Sequence, residues 1–146
     1  MKPRIGRLLS SVVVMFLLAG SLVAGDIPCE QQKAIQADAA ADGIRSWDLA
    51  YRFYRQFLSC DDASIAEGVS DKIAKLLTDK WDSFGDFIKL ASKDKGFEKF
   101  VLRHVDETID WSHDAPKIHD NARAHCPKGS ARLCRILVVR TTPEGK

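Results

Sequence analysis

Apolar side chains recur at spacings of three and four residues from Ser46 onwards, and this periodicity constrains the fold more than any other feature. Strands would alternate every second residue, whereas this spacing places apolar groups on one face of a helix. Ser46 is a suitable N-cap for the first such helix. Its apolar face comprises Trp47, Ala50, Tyr54, Phe57 and Leu58, with Tyr51 and Phe53 at the margins.

The same pattern continues almost to the end of the chain. A second stripe comprises Ile65, Val69, Ile73, Leu76 and Leu77 and ends near Asp79, and a short helix follows from Trp81 to Ala91. Asp94 is expected to cap a helix whose inward residues are Phe97, Phe100, Val101, Val105 and Trp111. Asp114 starts another helix, which runs to about His125 and is stopped by Pro127. The last segment is helical from Ser130, with a short strand at "ILVV" as the alternative.

These segments predict an all-α protein, a compact disulfide-stabilised bundle of five or six short helices. The sequence divides into a signal peptide over 1–25, an N-terminal arm over 26–45, a helical domain over 46–140 and a flexible tail over 141–146. The arm is polar and rich in alanine, which is compatible with partial helicity.

The first 25 residues have the layout of a secretory signal. A basic head with Lys2, Arg4 and Arg7 precedes an uncharged run over 8–23 and small residues at Val23 and Gly25. The apolar run is shorter than the roughly 20 residues that span a bilayer. We therefore expect cleavage after Gly25, with Ala24 as the alternative, a periplasmic or secreted protein, and no stable membrane anchor.

Removal of this segment changes the charge balance of the chain. Of the 146 residues 121 remain, and three of the 22 basic side chains are lost, so 19 basic groups face 20 acidic ones. A single domain of ordinary size is expected. A near-neutral domain lacks the basic surface that nucleic-acid binding requires.

Four cysteines, Cys29, Cys60, Cys126 and Cys134, follow the predicted cleavage site. An even number of cysteines in an exported chain favours disulfides, and four allow three pairings. The pair Cys126–Cys134 is preferred because the turn-forming residues in "CPKGSARLC" can bring its ends together. Cys29–Cys60 is then the remaining pair. A metal site is disfavoured because no Cys-x-x-Cys spacing occurs.

The stretch "CDDASIAEG" brings together the carboxylates of Asp61, Asp62 and Glu67, and Asp71 follows one turn later. Aspartates at this position are expected to accept hydrogen bonds from free N–H groups at a helix start. Glu67 points away from the apolar stripe, so the four carboxylates are predicted to present a polar face to a protein partner. The alternative is a glycan hydrolase that uses Glu67 with Asp61 or Asp62.

Four histidines, His104, His113, His119 and His125, cluster in the last third of the chain. His104 falls in the middle of an apolar face, and His125 leans toward one, so both are expected to be buried and hydrogen-bonded. The alternative is a periplasmic metal-binding protein that uses His104 and His125. Metal sites favour closer spacings than the six positions that separate His113 from His119 and His119 from His125, and no metal or other cofactor is predicted.

The "CDDASIAEG" helix start, the export signal and the late cysteine pair resemble the periplasmic immunity proteins that bind cell-wall amidases of the type VI secretion system. The resemblance covers residues 45–137. It implies a helical binding protein rather than an enzyme, with a secreted cell-wall-degrading toxin as its partner. The run "FVLRHVDET", followed by "CP" and "LC", is also similar to short exported bacterial proteins without an assigned function.

Overall fold

The computed structural model describes residues 29–105 and 108–143. These residues form seven α-helices: α1 (Gln31–Asp42), α2 (Trp47–Phe57), α3 (Ala63–Asp79), α4 (Phe84–Lys93), α5 (Lys95–Arg103), α6 (Asp114–Ala124) and α7 (Ala131–Arg140). Short 3₁₀ turns lie at Leu58–Cys60 and Trp81–Ser83. No strand occurs within the described ranges, so the all-α prediction is confirmed and the last segment is helical. The predicted signal peptide over 1–25 lies outside these ranges.

Side-chain caps fix where several helices begin. The Ser46 hydroxyl accepts a hydrogen bond from the Leu49 N–H at 3.4 Å. Asp94 caps α5 more completely, because its Oδ1 accepts from the N–H groups of Gly96 and Phe97 at 2.9 and 3.1 Å. Each bond satisfies a backbone donor that has no partner within its helix. Both caps are those predicted from the sequence.

The helices enclose one aromatic core. The largest fully buried side chains include Trp47, Phe53, Phe84, Phe87 and Phe97. The Phe87 ring of α4 lies 4.9 Å from the Trp47 ring of α2 and 6.0 Å from the Phe97 ring of α5, centroid to centroid. These contacts join three helices. Elsewhere α1 packs on α2 and α3, α3 packs on α6, and α6 packs on α7.

Within the predicted N-terminal arm over 26–45, residues 31–42 form the helix α1, which contributes to the core. Ala37 and Ala41 of α1 are buried, and α1 packs against α3. Small alanine side chains allow close approach of the two helices but give only a weak apolar signal in the sequence. At the other end Thr141 is also buried, and its hydroxyl donates to the Leu137 carbonyl at 2.8 Å, so the chain is still packed at residue 141.

Three residues lie on a different side of the fold from the one that the sequence predicted. Leu58, predicted to face inward, is 47% exposed, whereas Phe53, predicted to lie at the margin, is only 2% exposed. The reason is that α2 ends at Phe57 and the chain tightens into a 3₁₀ turn, which rotates Leu58 outward. Trp111, also predicted to face inward, is 40% exposed because α5 ends at Arg103 and does not continue to residue 111.

The four cysteines form the two disulfides Cys29–Cys60 and Cys126–Cys134. Both pairs are those preferred from the sequence. The first ties the segment before α1 to the turn before α3, and the second ties the end of α6 to α7. Two disulfides in a chain of this size indicate that it matures in an oxidising compartment.

Candidate functional site

The four predicted partner-binding carboxylates do not form one face. Asp62 is the N-cap of α3, is exposed, and accepts a hydrogen bond from the Ala63 N–H at 2.8 Å. Glu67 is exposed, as predicted. Asp71 is exposed but accepts a hydrogen bond from the Lys75 ammonium at 2.7 Å. Desolvation would raise the pKa of Asp71, but the hydrogen bonds and charges of Lys75 and Lys72 outweigh it and lower the pKa. The Asp61 side chain is fully buried and cannot reach a partner, so this part of the predicted face is wrong.

Asp61 belongs to a buried array with His104 and Ser70. Its Oδ2 lies 3.1 Å from His104 Nε2 and also accepts from the Arg103 guanidinium. On the other side of the imidazole, Nδ1 lies 2.9 Å from Ser70 Oγ, which is also 2.9 Å from the Ala66 carbonyl. The array connects the start and middle of α3 to the C-terminal end of α5. It explains why His104 is buried within an apolar face, as the sequence predicted.

The geometry restricts the protons of this array. His104 Nε2 faces a carboxylate and therefore donates to Asp61. The Ser70 hydroxyl can donate to the Ala66 carbonyl, in which case its oxygen can accept a hydrogen bond from the imidazole, or it can donate to Nδ1. Both arrangements satisfy the imidazole, whereas Asp61 Oδ1 remains buried without a hydrogen-bond partner among the described residues.

The Ser70–His104–Asp61 array has the residue types of a hydrolytic triad but lacks its other requirements. Ser70 is buried in the middle of α3, where a substrate carbonyl cannot approach it. The N–H groups around it are engaged in the helix and cannot stabilise an oxyanion. We therefore interpret the array as a structural connection between α3 and α5.

The histidines do not assemble a metal centre within the described residues, where no group of three or more His, Cys, Asp or Glu side chains could hold an ion. His125 is exposed at the end of α6, so the prediction that it is buried is wrong. Its contribution is through the backbone, because its carbonyl accepts a hydrogen bond from Trp81 Nε1 at 2.9 Å. His104 instead takes part in the buried array.

A second region, which the sequence reading missed, is organised around Trp111. The preceding residue, Asp110, accepts hydrogen bonds at Oδ1 from the Ser112 hydroxyl, the Ser112 N–H and the His113 N–H at 2.6, 2.8 and 3.2 Å. These bonds, led by that from the Ser112 hydroxyl, lower the pKa of Asp110. The Asp110 carbonyl accepts from the Asp114 N–H at 2.8 Å. These bonds connect the turn to the start of α6, and Trp111 lies outside the core.

Trp111 lines a cavity of about 260 Å³ between α6 and the end of α7. The other lining residues are Ala115, Pro116, His119, Asp120, Thr141 and Pro143. The Thr141 hydroxyl already donates to the Leu137 carbonyl. The Asp120 carboxylate is exposed and has neither an ion pair nor a hydrogen bond within residues 29–105 and 108–143. The cavity therefore combines an apolar lining, an exposed indole and one uncompensated negative charge.

The local sequence contains a signal for this site. An aspartate followed two residues later by serine is typical of a side-chain-stabilised turn, and "DWSHD" has that pattern between two helices. A turn there would end the helical periodicity before Trp111 and remove the reason to place the indole inside. The exposure of Trp111 could thus have been predicted, whereas the contribution of α7 to the cavity could not.

None of the helices in the described part of the chain is long and apolar enough to cross a membrane. No protein-family model, curated protein or solved structure significantly matches this chain.

Proposed function

We propose that this chain is an exported helical binding protein that inhibits a secreted cell-wall-degrading enzyme. The observation that carries the proposal is Trp111, which is 40% exposed and lines an apolar cavity at a hydrogen-bonded turn. Tryptophan is enriched among the residues that dominate protein–protein binding energies, because it buries a large apolar area at little cost in side-chain entropy. The hydrogen bonds to Asp110 fix the backbone of the turn that carries the indole, so this backbone loses little freedom on binding.

The remaining features support a binding protein better than they support an enzyme. Glu67, the proposed carboxylate of a hydrolase, is an exposed helix residue, and Asp61 is buried against Arg103 and His104. A glycosidase needs two carboxyl groups facing one substrate bond. The two disulfides suit a protein that acts outside the reducing cytosol, and the predicted signal over 1–25 supports a periplasmic location.

The proposal is tested with peptidoglycan and a secreted cell-wall amidase whose gene neighbours that of this chain. We expect the purified protein alone to release no fragments from peptidoglycan and to inhibit the amidase when added in equimolar amount. Trp111→Ala should weaken inhibition at least about tenfold, as expected for a dominant interface residue. Ile35→Ala is the matched control, because Ile35 is also an exposed apolar residue but lies on α1, away from the cavity.

Two results would contradict the proposal. Hydrolysis of peptidoglycan by the protein alone, lost in Glu67→Ala with unchanged melting, would make it an enzyme. Equal inhibition by wild type and Trp111→Ala would show that the Trp111 surface is not where the partner binds.

A further inference from the structure

We infer that the cavity beside Trp111 receives a basic side chain, the guanidinium of an arginine or the ammonium of a lysine, from the protein partner. This inference rests on the proposed function and specifies the chemistry of the contact. Trp111 and Asp120 line the same cavity, and their indole and carboxylate groups are the two that can select a cation.

The size of the cavity indicates a single side chain. Sites for small-molecule ligands usually measure about 300–1,000 Å³, and this cavity of about 260 Å³ lies below that range. A helix or strand would need a longer groove, whereas one extended side chain fits such a volume.

The lining matches both parts of a long basic side chain. Ala115, Pro116 and Pro143 provide apolar contacts for the methylene stem. The face of a tryptophan attracts a cation more strongly than that of any other aromatic residue. Trp111 has the exposure that such a contact requires, because the Asp110 turn keeps its ring out of the core.

The charges around the cavity favour a cation over an anion. The segment 110–120 contains the acids Asp110, Asp114 and Asp120, one lysine, Lys117, and two histidines, His113 and His119, of which His119 lines the cavity. The Asp110 carboxylate already accepts hydrogen bonds within its own turn. The Asp114 carboxylate lies 3.0 Å from His113 Nδ1, and the Lys117 ammonium lies 3.9 Å from the Asp79 carboxylate. Asp120 is left as the carboxylate without a partner in this segment. An incoming cation would supply that partner, and an incoming carboxylate would be repelled.

The experiment uses single amino-acid amides as probes of the full mature protein. N-acetyl-arginine amide and N-acetyl-lysine amide are titrated into ¹⁵N-labelled protein, and the indole N–H resonance of Trp111 is followed by NMR. N-acetyl-citrulline amide, which has nearly the shape of arginine without its charge, is the matched ligand control. We expect one or both basic amides to shift the Trp111 resonance saturably at millimolar concentration, and citrulline amide to shift it at least about fivefold less.

Two variants test separately how much Asp120 and Trp111 contribute to binding of the basic amide. Asp120→Asn should weaken binding of the basic amide about threefold or more, since an exposed charge pair contributes modestly. Glu67→Gln, which removes an exposed carboxylate elsewhere on the surface, should leave binding unchanged. Trp111→Leu should weaken binding of the basic amide at least about threefold, followed through the backbone amide of Asp120.

The outcomes also separate this inference from the proposed function. No shift of Trp111 with either basic amide, or equal binding of citrulline amide, overturns the assignment of a basic side chain, even if Trp111→Ala abolishes inhibition. Unchanged affinity in Asp120→Asn overturns it as well. Binding of the basic amide without inhibition of any wall hydrolase would support the cation site and contradict the proposed partner.

Discussion

The imidazole Nε2 of His104 lies 3.1 Å from the Oδ2 of Asp61, although the two residues are 43 positions apart in the sequence. Both side chains are almost completely buried, and Arg103 and Ser70 provide their other polar contacts. A buried polar group that loses its partner retains the cost of leaving water, so such an array depends on the presence of every member. The junction between α3 and α5 should therefore respond strongly to substitutions that change its charge.

We expect His104→Asp to lower the free energy of unfolding by about 2 kcal/mol or more, because a second buried carboxylate would face Asp61. His104→Leu should cost less, because Asp61 keeps its ion pair with Arg103 and the Ser70 hydroxyl keeps its bond to the Ala66 carbonyl. Urea unfolding of both variants beside the wild type measures the difference. Wild-type stability in both would show that His104 is not buried in this array.

Gly96 should be intolerant of alanine despite its place in a helix. A Cβ at this position would collide with the Tyr54 hydroxyl and displace a ring that packs 5.6 Å from Phe97 and 5.3 Å from Phe100. Gly68→Ala is the matched control, because a Cβ there meets nothing within 4 Å and helix propensity favours alanine by about 1 kcal/mol. We expect a lower melting temperature for Gly96→Ala and a higher one for Gly68→Ala. Stabilisation by both would mean that Tyr54 does not occupy the space above Gly96.

The two disulfides should contribute unequally to stability. Cys29 and Cys60 are separated by 31 positions, and Cys126 and Cys134 by eight. In the chain-entropy model the longer loop restricts the unfolded chain more, by about 1 kcal/mol. We expect the Cys29→Ser/Cys60→Ser variant to unfold at lower urea concentration than Cys126→Ser/Cys134→Ser. The reverse order would show that the shorter bridge is more important for the packing of α6 and α7.

Glu98 should make the protein less stable in acid. Burial alone would raise the pKa of this carboxyl, but hydrogen bonds from Arg132 and Lys95 outweigh it and hold the pKa below its ordinary value. A carboxyl whose pKa is lowered on folding binds fewer protons in the native state. The contribution of Glu98 to the free energy of unfolding is therefore complete above the unfolded pKa of about 4.3. It is lost as the pH falls through the lower pKa of the native state.

The measurement for Glu98 is urea unfolding of wild type and Glu98→Gln at pH 7 and near pH 3. The wild type should be more stable at pH 7, and the difference between the two proteins should shrink in acid. A difference that is the same at both pH values would mean that Glu98 is not paired with Arg132 and Lys95 in the native state.

The sequence by itself determined the helical character of the bundle and several helix starts, and it favoured the pairing of Cys126 with Cys134. The starts at Ser46 and Asp94 depend on bonds to N–H groups within three residues, so they can be read locally. The pairing of Cys126 with Cys134 is similarly local, because a turn of eight positions joins them. These features are set by contacts between near neighbours in the chain, which periodicity and capping rules describe well.

Only the tertiary structure decided the burial of Asp61 and the presence of a cavity beside Trp111. Asp61 and Asp62 are adjacent, yet Asp62 caps a helix in solvent while Asp61 is buried against the end of α5. Trp111 is exposed because α5 ends before it. The cavity beside Trp111 forms because the residues that follow α7 pack next to α6. Burial depends on which distant helix covers a residue, and that depends on the packing of the whole bundle.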